Sequence, residues 1–272
     1  MKLQLIEPRA ELKPFIGKIW VLESNGRLPE DDMKLIVPNG MVKLIIPVKN
    51  GLIGKYEKWR HRSKEGSITL IGISDTPAIV DIEHDNPHCN IGIEFYALGA
   101  YRLFHLPQFE LKNKIFDLED VIGNQARHLS ERLINIEKIE EKIEVIQSYL
   151  ISQLSRSTPD LVVDYCLSQI VGTKGLIAVN ELERKTGFSS RWLREKFTDK
   201  VGLSPKSISS VIRFMQFYEA NANANMDFFK NELYTYFYDQ AHFIKDFKRF
   251  TGMAPSKFMK TDNEFGHIFY KG

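Results

Sequence analysis

The chain has 272 residues, is 43% hydrophobic and 26% charged, and carries a formal charge of +2. That is the balance of a soluble globular protein long enough for two domains, and it excludes a low-complexity or highly charged disordered chain. The two cysteines, Cys89 and Cys166, lie far apart without Cys-x-x-Cys spacing, which excludes a disulfide scaffold and fits a reducing compartment.

The opening stretch "MKLQLIEPRAELK" has no apolar segment of the kind that starts a signal peptide. No uncharged apolar run approaches the roughly 18 residues of a membrane span. The expectation is a cytoplasmic protein with no membrane partner. The first hundred residues read as short strands rich in Ile and Val: "FIGKIWVLE" (15–23), "VKLIIPV" (42–48), "SITLIGI" (67–73), "AIVDIEH" (78–84) and "CNIGIEF" (89–95). Pro38-Asn39-Gly40 and Lys49-Asn50-Gly51 punctuate them as turns. An antiparallel sheet or small barrel follows from that pattern.

Within this region "EHDNPHC" (83–89) gathers metal-ligand residue types, but Pro87 interrupts the His84/His88 spacing and no second cluster follows. No metal site is expected, and a polar loop between strands is the better reading. Glu94 sits in an otherwise apolar strand, and alternation favours an inward side chain, facing either a ligand cavity or solvent. Trp20, Trp59 and Tyr96 are aromatic candidates for a pocket, though rings in a sheet more often fill core. Cys89 has no evident cationic setting, so a redox-sensing thiol is a remote reading.

Beyond Asp117 the pattern turns helical. Segments 125–135 and 139–154 repeat apolar residues at i, i+3, i+4. Leu133, Ile136, Ile139, Ile143, Ile146, Leu150 and Leu154 form one stripe, which fits core packing, interdomain packing or a dimer seam. Ser157-Thr158-Pro159 marks a break, and 161–171 reads as another helix.

From Ile177 onward the chain repeats itself at a shift of 50 residues: Leu193 matches Phe243, Phe197 matches Phe247, Gly202 matches Gly252 and Pro205 matches Pro255. Each copy reads as a helix with apolar residues at i and i+4, a glycine that caps it, and a proline that opens the next. The first copy, "VNELERKTGFSSRWLREKF" (179–197), has the layout of a helix-turn-helix. Val179, Leu182 and Thr186 face inward, Gly187 turns the chain, and Ser189 or Ser190 caps the second helix. Leu193 and Phe197 bury its inner side. Ser190, Arg191, Arg194 and Glu195 then point outward near the end that would meet base edges in a major groove. An ordinary helical hairpin with a solvated basic face would show the same pattern. Segment 173–260 holds 15 Lys/Arg against 9 Asp/Glu, a net of +6, beside a remainder of −4. That asymmetry fits an anionic partner for this segment.

From about residue 160 to 260 the chain resembles the DNA-binding domain of the AraC/XylS family of bacterial transcription regulators. The residues that carry the resemblance are "KVGLSPKSISSVIRFMQ" in the first copy and "FYDQAHFIKDFKRFTGMAPSKF" in the second. Upstream, "LKPFIGKIWVLE", "VPNGMVKLIIPV" and "IGIEFYALGAYRLFHLPQFELKNKIFDLEDV" are similar to a domain that precedes this module in some members.

The resemblance implies an α+β multidomain chain. Residues 1–116 form a mostly antiparallel β sensing domain, 117–157 a helical connector, and 158–262 an all-α double helix-turn-helix domain. It implies double-stranded DNA as partner, read by Ser190, Arg191, Arg194 and Glu195 from the first unit. Gln240, Ala241, His242 and Lys245 would read from the second. Phe243 and Phe247 would pack the second unit's core, and Phe250 and Phe258 its flank. Lys248, Arg249 and Lys257 would touch phosphates or stay solvated. The units would enter successive major grooves about 34 Å apart, joined by a helix over 205–220 spanning roughly 24 Å. A small-molecule effector in the N-terminal domain, RNA polymerase and a second copy of the chain are further partners it suggests. It implies no cofactor.

The sequence departs from the family pattern at Asn231, Glu232 and Tyr236, where Ile-Ala and a turn glycine are usual. Glu183 stands where the family prefers Ala, and Glu195 where it often has Arg. A buried Glu232 would be costly, and Tyr236 would be strained wherever φ must be positive. These departures motivate an alternative in which the altered second unit contacts protein instead of DNA. A third, an enzyme or ligand-binding protein using the β domain, has no Gly-x-Ser-x-Gly, Walker or Rossmann motif behind it. A non-enzyme is expected.

Overall fold

The computed structural model describes residues 1–26, 30–56, 59–82, 86–154, 158–225, 233–236 and 240–271. The strands are β1 (Lys2–Ile6), β2 (Ile16–Ser24), β3 (Leu35–Ile36), β4 (Val42–Lys49), β5 (Leu52–Tyr56), β6 (Trp59–Arg62), β7 (Thr69–Ile71), β8 (Ala78–Ile82), β9 (His88–Phe95) and β10 (Ile115–Asp117). They pair antiparallel into a six-stranded sheet, β1-β2-β9-β4-β7-β10, and a four-stranded sheet, β3-β8-β5-β6.

Side-chain alternation decides what each face of the large sheet meets. Ile19 and Val21 of β2, Leu44 and Ile46 of β4, and Ile91, Ile93 and Phe95 of β9 join one apolar cluster with the helices. Trp20, Leu22 and Ile45 point the other way and meet Leu52 and Ile82 of the small sheet. Because β9 is covered on both faces, every one of its residues is buried. Strands β1, β3, β5, β6 and β10 add to those read from sequence. Except for β1 and β5, they are four residues or shorter.

The helices begin with α1 (Gly99–Phe104), α2 (Gln108–Leu111), α3 (Leu118–Ile122) and α4 (Asn124–Ile134). Next come α5 (Ile139–Leu154) and α6 (Leu161–Gly172). The stripe on α4 and α5 is used inside the chain: Leu133, Ile143, Ile146 and Leu150 are buried in the common core. Those four residues follow the core-packing reading of the stripe, while Ile136, Ile139 and Leu154 are half-buried.

The rest is α7 (Val179–Thr186), α8 (Ser190–Val201), α9 (Pro205–Ala222), α10 (Leu233–Tyr236), α11 (Gln240–Thr251), α12 (Pro255–Phe258) and α13 (Glu264–His267). Helix α9 has 18 residues, about 27 Å at 1.5 Å per residue. The apolar cluster runs without a break from Ile19 and Ile91 through Leu150, Phe197 and Phe214 to Phe258. The β half and the helical half therefore share one core. Among the described residues no helix is long and apolar enough to cross a membrane.

Candidate functional site

The pair of helices α7 and α8 is built from local chemistry. Leu182 anchors α7, and Gly187, at φ +74°, ends it with its N–H on the carbonyl of Glu183. Ser189 caps α8, its Oγ accepting from the Trp192 N–H at 3.3 Å. Glu183 Oε1 accepts from the N–H of Ser190, so this glutamate satisfies a helix-end donor that would otherwise lack a protein partner. Leu193, Phe197 and Val201, at i, i+4 and i+8, bury the inner face of α8.

Ser190, Arg191, Arg194 and Glu195 are all exposed on the opposite side. Arg191 Nε lies 3.2 Å from Glu195 Oε1, an ion pair between two solvated groups. Beside them Phe188 stacks on Trp192 with centroids 4.0 Å apart, and Lys196 lies over the Trp192 ring. Sequence reasoning passed over this aromatic pair, although its i, i+4 spacing at the head of α8 is the available signal.

In the second unit Phe243, Phe247, Phe250 and Phe258 are buried. Phe247 meets Phe217 at 5.1 Å and Phe258 at 5.3 Å, both edge to face. Gln240, Ala241 and Lys245 are exposed on α11, and Lys248 and Lys257 are exposed as well. His242 is half-buried, its Nε2 3.7 Å from the carboxylate of the buried Asp246. Arg249 corrects the sequence reading. Its Nη2 donates to Asp75 Oδ2 at 2.5 Å, so although it remains partly exposed it is engaged by the β half. Asn231 and Glu232 lie outside the described residues. Tyr236 is a buried residue of α10 and is not among the residues with positive φ, so the strain expected of it there is absent.

Two cavities flank Glu94, which is 3% exposed. Its carboxylate accepts from Trp20 Nε1 at 3.2 Å and from Asn39 Nδ2 at 3.0 Å. Lys18 and Lys43 stand directly across from it on the neighbouring strands. The inner cavity lies between the sheets, among Trp20, Ile45, Leu52, Ile71 and Val80, and has a volume of about 70 Å³.

The second cavity is a cleft of about 570 Å³ between the β half and helices α6 and α9, within the usual size of ligand sites. Lys18, Tyr96, Leu167, Met215 and Glu219 are among the residues that line it. Arg102 on α1 pairs with Asp164 on α6 across it at 3.3 Å. Burial, followed by the charge of Asp160, raises the Asp164 carboxyl above its ordinary range, although Arg102 and Lys200 pull it down. Of the three aromatic candidates, Trp20 lines the inner cavity and Tyr96 the cleft, while Trp59 is 68% exposed on β6 and lines neither.

The remaining candidates are accounted for differently. His84 lies outside the described residues, and His88 is buried with Nδ1 3.2 Å from the Asn50 carbonyl. Among the described residues no group of three or more His, Cys, Asp or Glu could hold a metal ion. Both cysteines are buried free thiols. Burial and then Asp160 push the Cys166 thiol up to about 11. Burial and then Glu23 raise Cys89 as well. Such thiols are poor nucleophiles, which argues against a redox sensor.

Residues 4–117 match a family described as a domain of unknown function (DUF6597). None of the curated proteins compared matches the chain. Among solved structures, a lysine-to-alanine variant of apo ToxT from Vibrio cholerae strain SCE256 is 12% identical with a TM-score of 0.50, over 94% of this chain and 99% of that one. Unsaturated fatty acid bound wild-type ToxT from the same strain is 11% identical with a TM-score of 0.46, over 90% and 96% of the two chains. The AraC-like transcriptional activator CuxR is 14% identical with a TM-score of 0.27, over 83% and 86%. The likeness to apo ToxT spans both halves, so the chain shares the ToxT fold: an antiparallel β half in front of a helical half.

Proposed function

We propose that the chain is a sequence-specific DNA-binding transcription regulator. Its β part, 1–116, senses an effector and is joined through 117–157 to two reading units in 158–262. The observation that supports this most is the outer face of α8. Ser190, Arg191 and Arg194 stand in solvent at its N-terminal half, on a helix fixed from behind by Leu193, Phe197 and Val201. Arginine there can take guanine O6 and N7 by a bidentate bond, and the Trp192 ring offers an apolar contact to a thymine methyl. Arg191 must leave Glu195 to do so. An exposed i, i+4 pair contributes only about 0.3–0.5 kcal/mol, against roughly 1–3 kcal/mol for a bidentate base contact, so the exchange is favourable. Gln240, Ala241, His242 and Lys245 are the corresponding bets on α11. We assign the effector to the cleft, because a ligand there touches both halves and can favour one arrangement of them.

The test starts from duplexes enriched by the full chain from a randomised pool at low salt. Affinity for the enriched duplex should fall with salt, and Arg191→Ala and Arg194→Ala should each weaken it by about tenfold. Failure to enrich any duplex, or equal binding to a scrambled one, would overturn the reading. A second reading, a protein partner on the second unit, draws support from Arg249 being engaged by Asp75. It expects Lys245→Ala and His242→Ala to leave DNA affinity unchanged.

A further inference from the structure

The residues that follow α12 fold back onto the β half. Asn263, 2% exposed, donates from Nδ2 to the Leu35 carbonyl and to the Tyr218 hydroxyl, both at 2.9 Å. Its Oδ1 accepts from the Leu35 N–H at 2.8 Å. Asp32 Oδ2 accepts from the Phe265 N–H at 2.9 Å, and Lys18 Nζ donates to the Phe269 carbonyl at 2.6 Å. So anchored, the segment places Phe265, Phe269 and Tyr270 in the wall of the inner cavity. Phe269 lies 5.1 Å from the Trp20 ring and 5.7 Å from Phe265, the latter edge to face.

The space left beside those rings is about 70 Å³. A dry apolar cavity of roughly 150 Å³ is what admits benzene. An aromatic guest therefore fits only by displacing rings of the segment. The site suits such a guest once they leave. Its remaining walls combine the rings of Trp20, Tyr56 and His61 with aliphatic side chains and a few polar ones, and it already holds its rings edge to face or tilted, geometries that aromatic groups favour. Glu94 receives two donors where a carboxylate has about four acceptor positions, so it can take one more. Lys18 and Lys43 beside it disfavour a cation, which leaves a neutral hydroxyl as the matching donor. Tyr270 brings a phenol to the same corner, its oxygen accepting from Asn39 Nδ2 at 3.0 Å.

We propose that the inner cavity binds a flat aromatic molecule bearing a hydroxyl group, and that segment 263–271 is its built-in competitor. The segment also touches the helix that joins the two reading units: Tyr218 of α9 meets His267 at 5.1 Å and Tyr270 at 5.3 Å. Displacing it removes those two contacts from α9, which stays packed on the β half through Ile208 and Val211 beside Gly40. Any consequence of this for DNA rests on the regulator reading above, whereas the cavity and its competitor do not.

Calorimetric titration of the full chain with 2-naphthol, and with its saturated analogue 2-decalol, tests the proposal. Weakening the competitor raises the binding-competent fraction and hence the apparent affinity. Phe269→Ala should bind 2-naphthol about tenfold more tightly than the natural chain, and 2-decalol should bind at least about tenfold more weakly than 2-naphthol in both. Phe269→Leu replaces the alanine variant if the latter loses its near-ultraviolet circular dichroism. Leu52→Trp, which fills the cavity, should abolish binding. Equal affinity of the natural chain and a folded Phe269 variant overturns the competitor. Weaker binding by the variant overturns it too, because the segment would then be part of the site. Equal affinity for the two probes overturns the aromatic class, and no binding to a folded Phe269 variant overturns the cavity. Competitive 2-naphthol binding by a chain that enriches no duplex would sustain this proposal and sink the regulator reading alone.

Discussion

Asp75 is a residue where the two halves are tied by charge. It lies between β7 and β8, 5% exposed, and meets Lys112 Nζ at 2.8 Å, Asn113 Nδ2 at 2.8 Å and Arg249 Nη2 at 2.5 Å. Burial alone would raise its carboxyl. The hydrogen bonds from Lys112 and Asn113 and the charges of Lys112 and Arg249 outweigh burial and hold it below its ordinary value of 3.8. A carboxylate whose folded value is depressed contributes stability that is complete above its unfolded value and lost as pH falls through the folded one. Urea denaturation should therefore show the natural chain more stable than Asp75→Asn near neutral pH. The gap should close as pH falls below 3.8. A gap that persists in acid would mean the tie is not electrostatic. None of this was legible in the sequence, because Arg249 is 174 positions from Asp75 and no periodicity links them.

At the scale of elements, α8 is bounded by two glycines whose surroundings differ. Gly187 has φ +74° and open space where a side chain would go. Gly187→Ala should cost about 1–2 kcal/mol from backbone conformation alone. Gly202 has φ +82°, and a Cβ there would fall 2.6 Å from Ile73 Cγ2 and 2.9 Å from the Gln108 carbonyl, atoms of the β half and α2. Gly202→Ala should be clearly the more destabilising of the two in urea denaturation, since it adds a clash to the same strain. Equal losses would deny that α8 is pressed onto the first half at Gly202. Ser189→Ala should lower stability by about 1 kcal/mol through loss of the cap, measured in the same way. These elements were readable because their signals are local: the Ser189 cap, the closing glycine and Pro205 opening α9. The short strands β3, β6 and β10 were not, since four residues or fewer carry too little alternation to stand out from a loop. Glu183 read as a misfit because its partner, the Ser190 N–H, becomes a reason for it only when α7 and α8 are placed at an angle.

At the scale of the whole molecule, the larger of the two apolar clusters among the described residues reaches from the strands of the β half to Phe258. A shared core makes the halves unfold together. Variants retaining only Trp20 or only Trp192 should therefore report coincident urea transitions by fluorescence. Two separated transitions would show that the ties at Asp75, Gly202 and Asn263 are too weak to couple the halves. By itself the sequence determined a strand-rich part followed by a helical one, the strands β2, β4, β8 and β9, the caps between α7 and α9 and the polar outer side of α8. Those features are written in spacing and in residues a few positions apart. The tertiary structure alone decided that Arg249 is engaged by Asp75, that Glu94 stands between two cavities, and that segment 263–271 walls one of them. Each depends on groups brought together from distant parts of the chain, and such a meeting is fixed by the packing of whole elements, which leaves no pattern in the residues nearby.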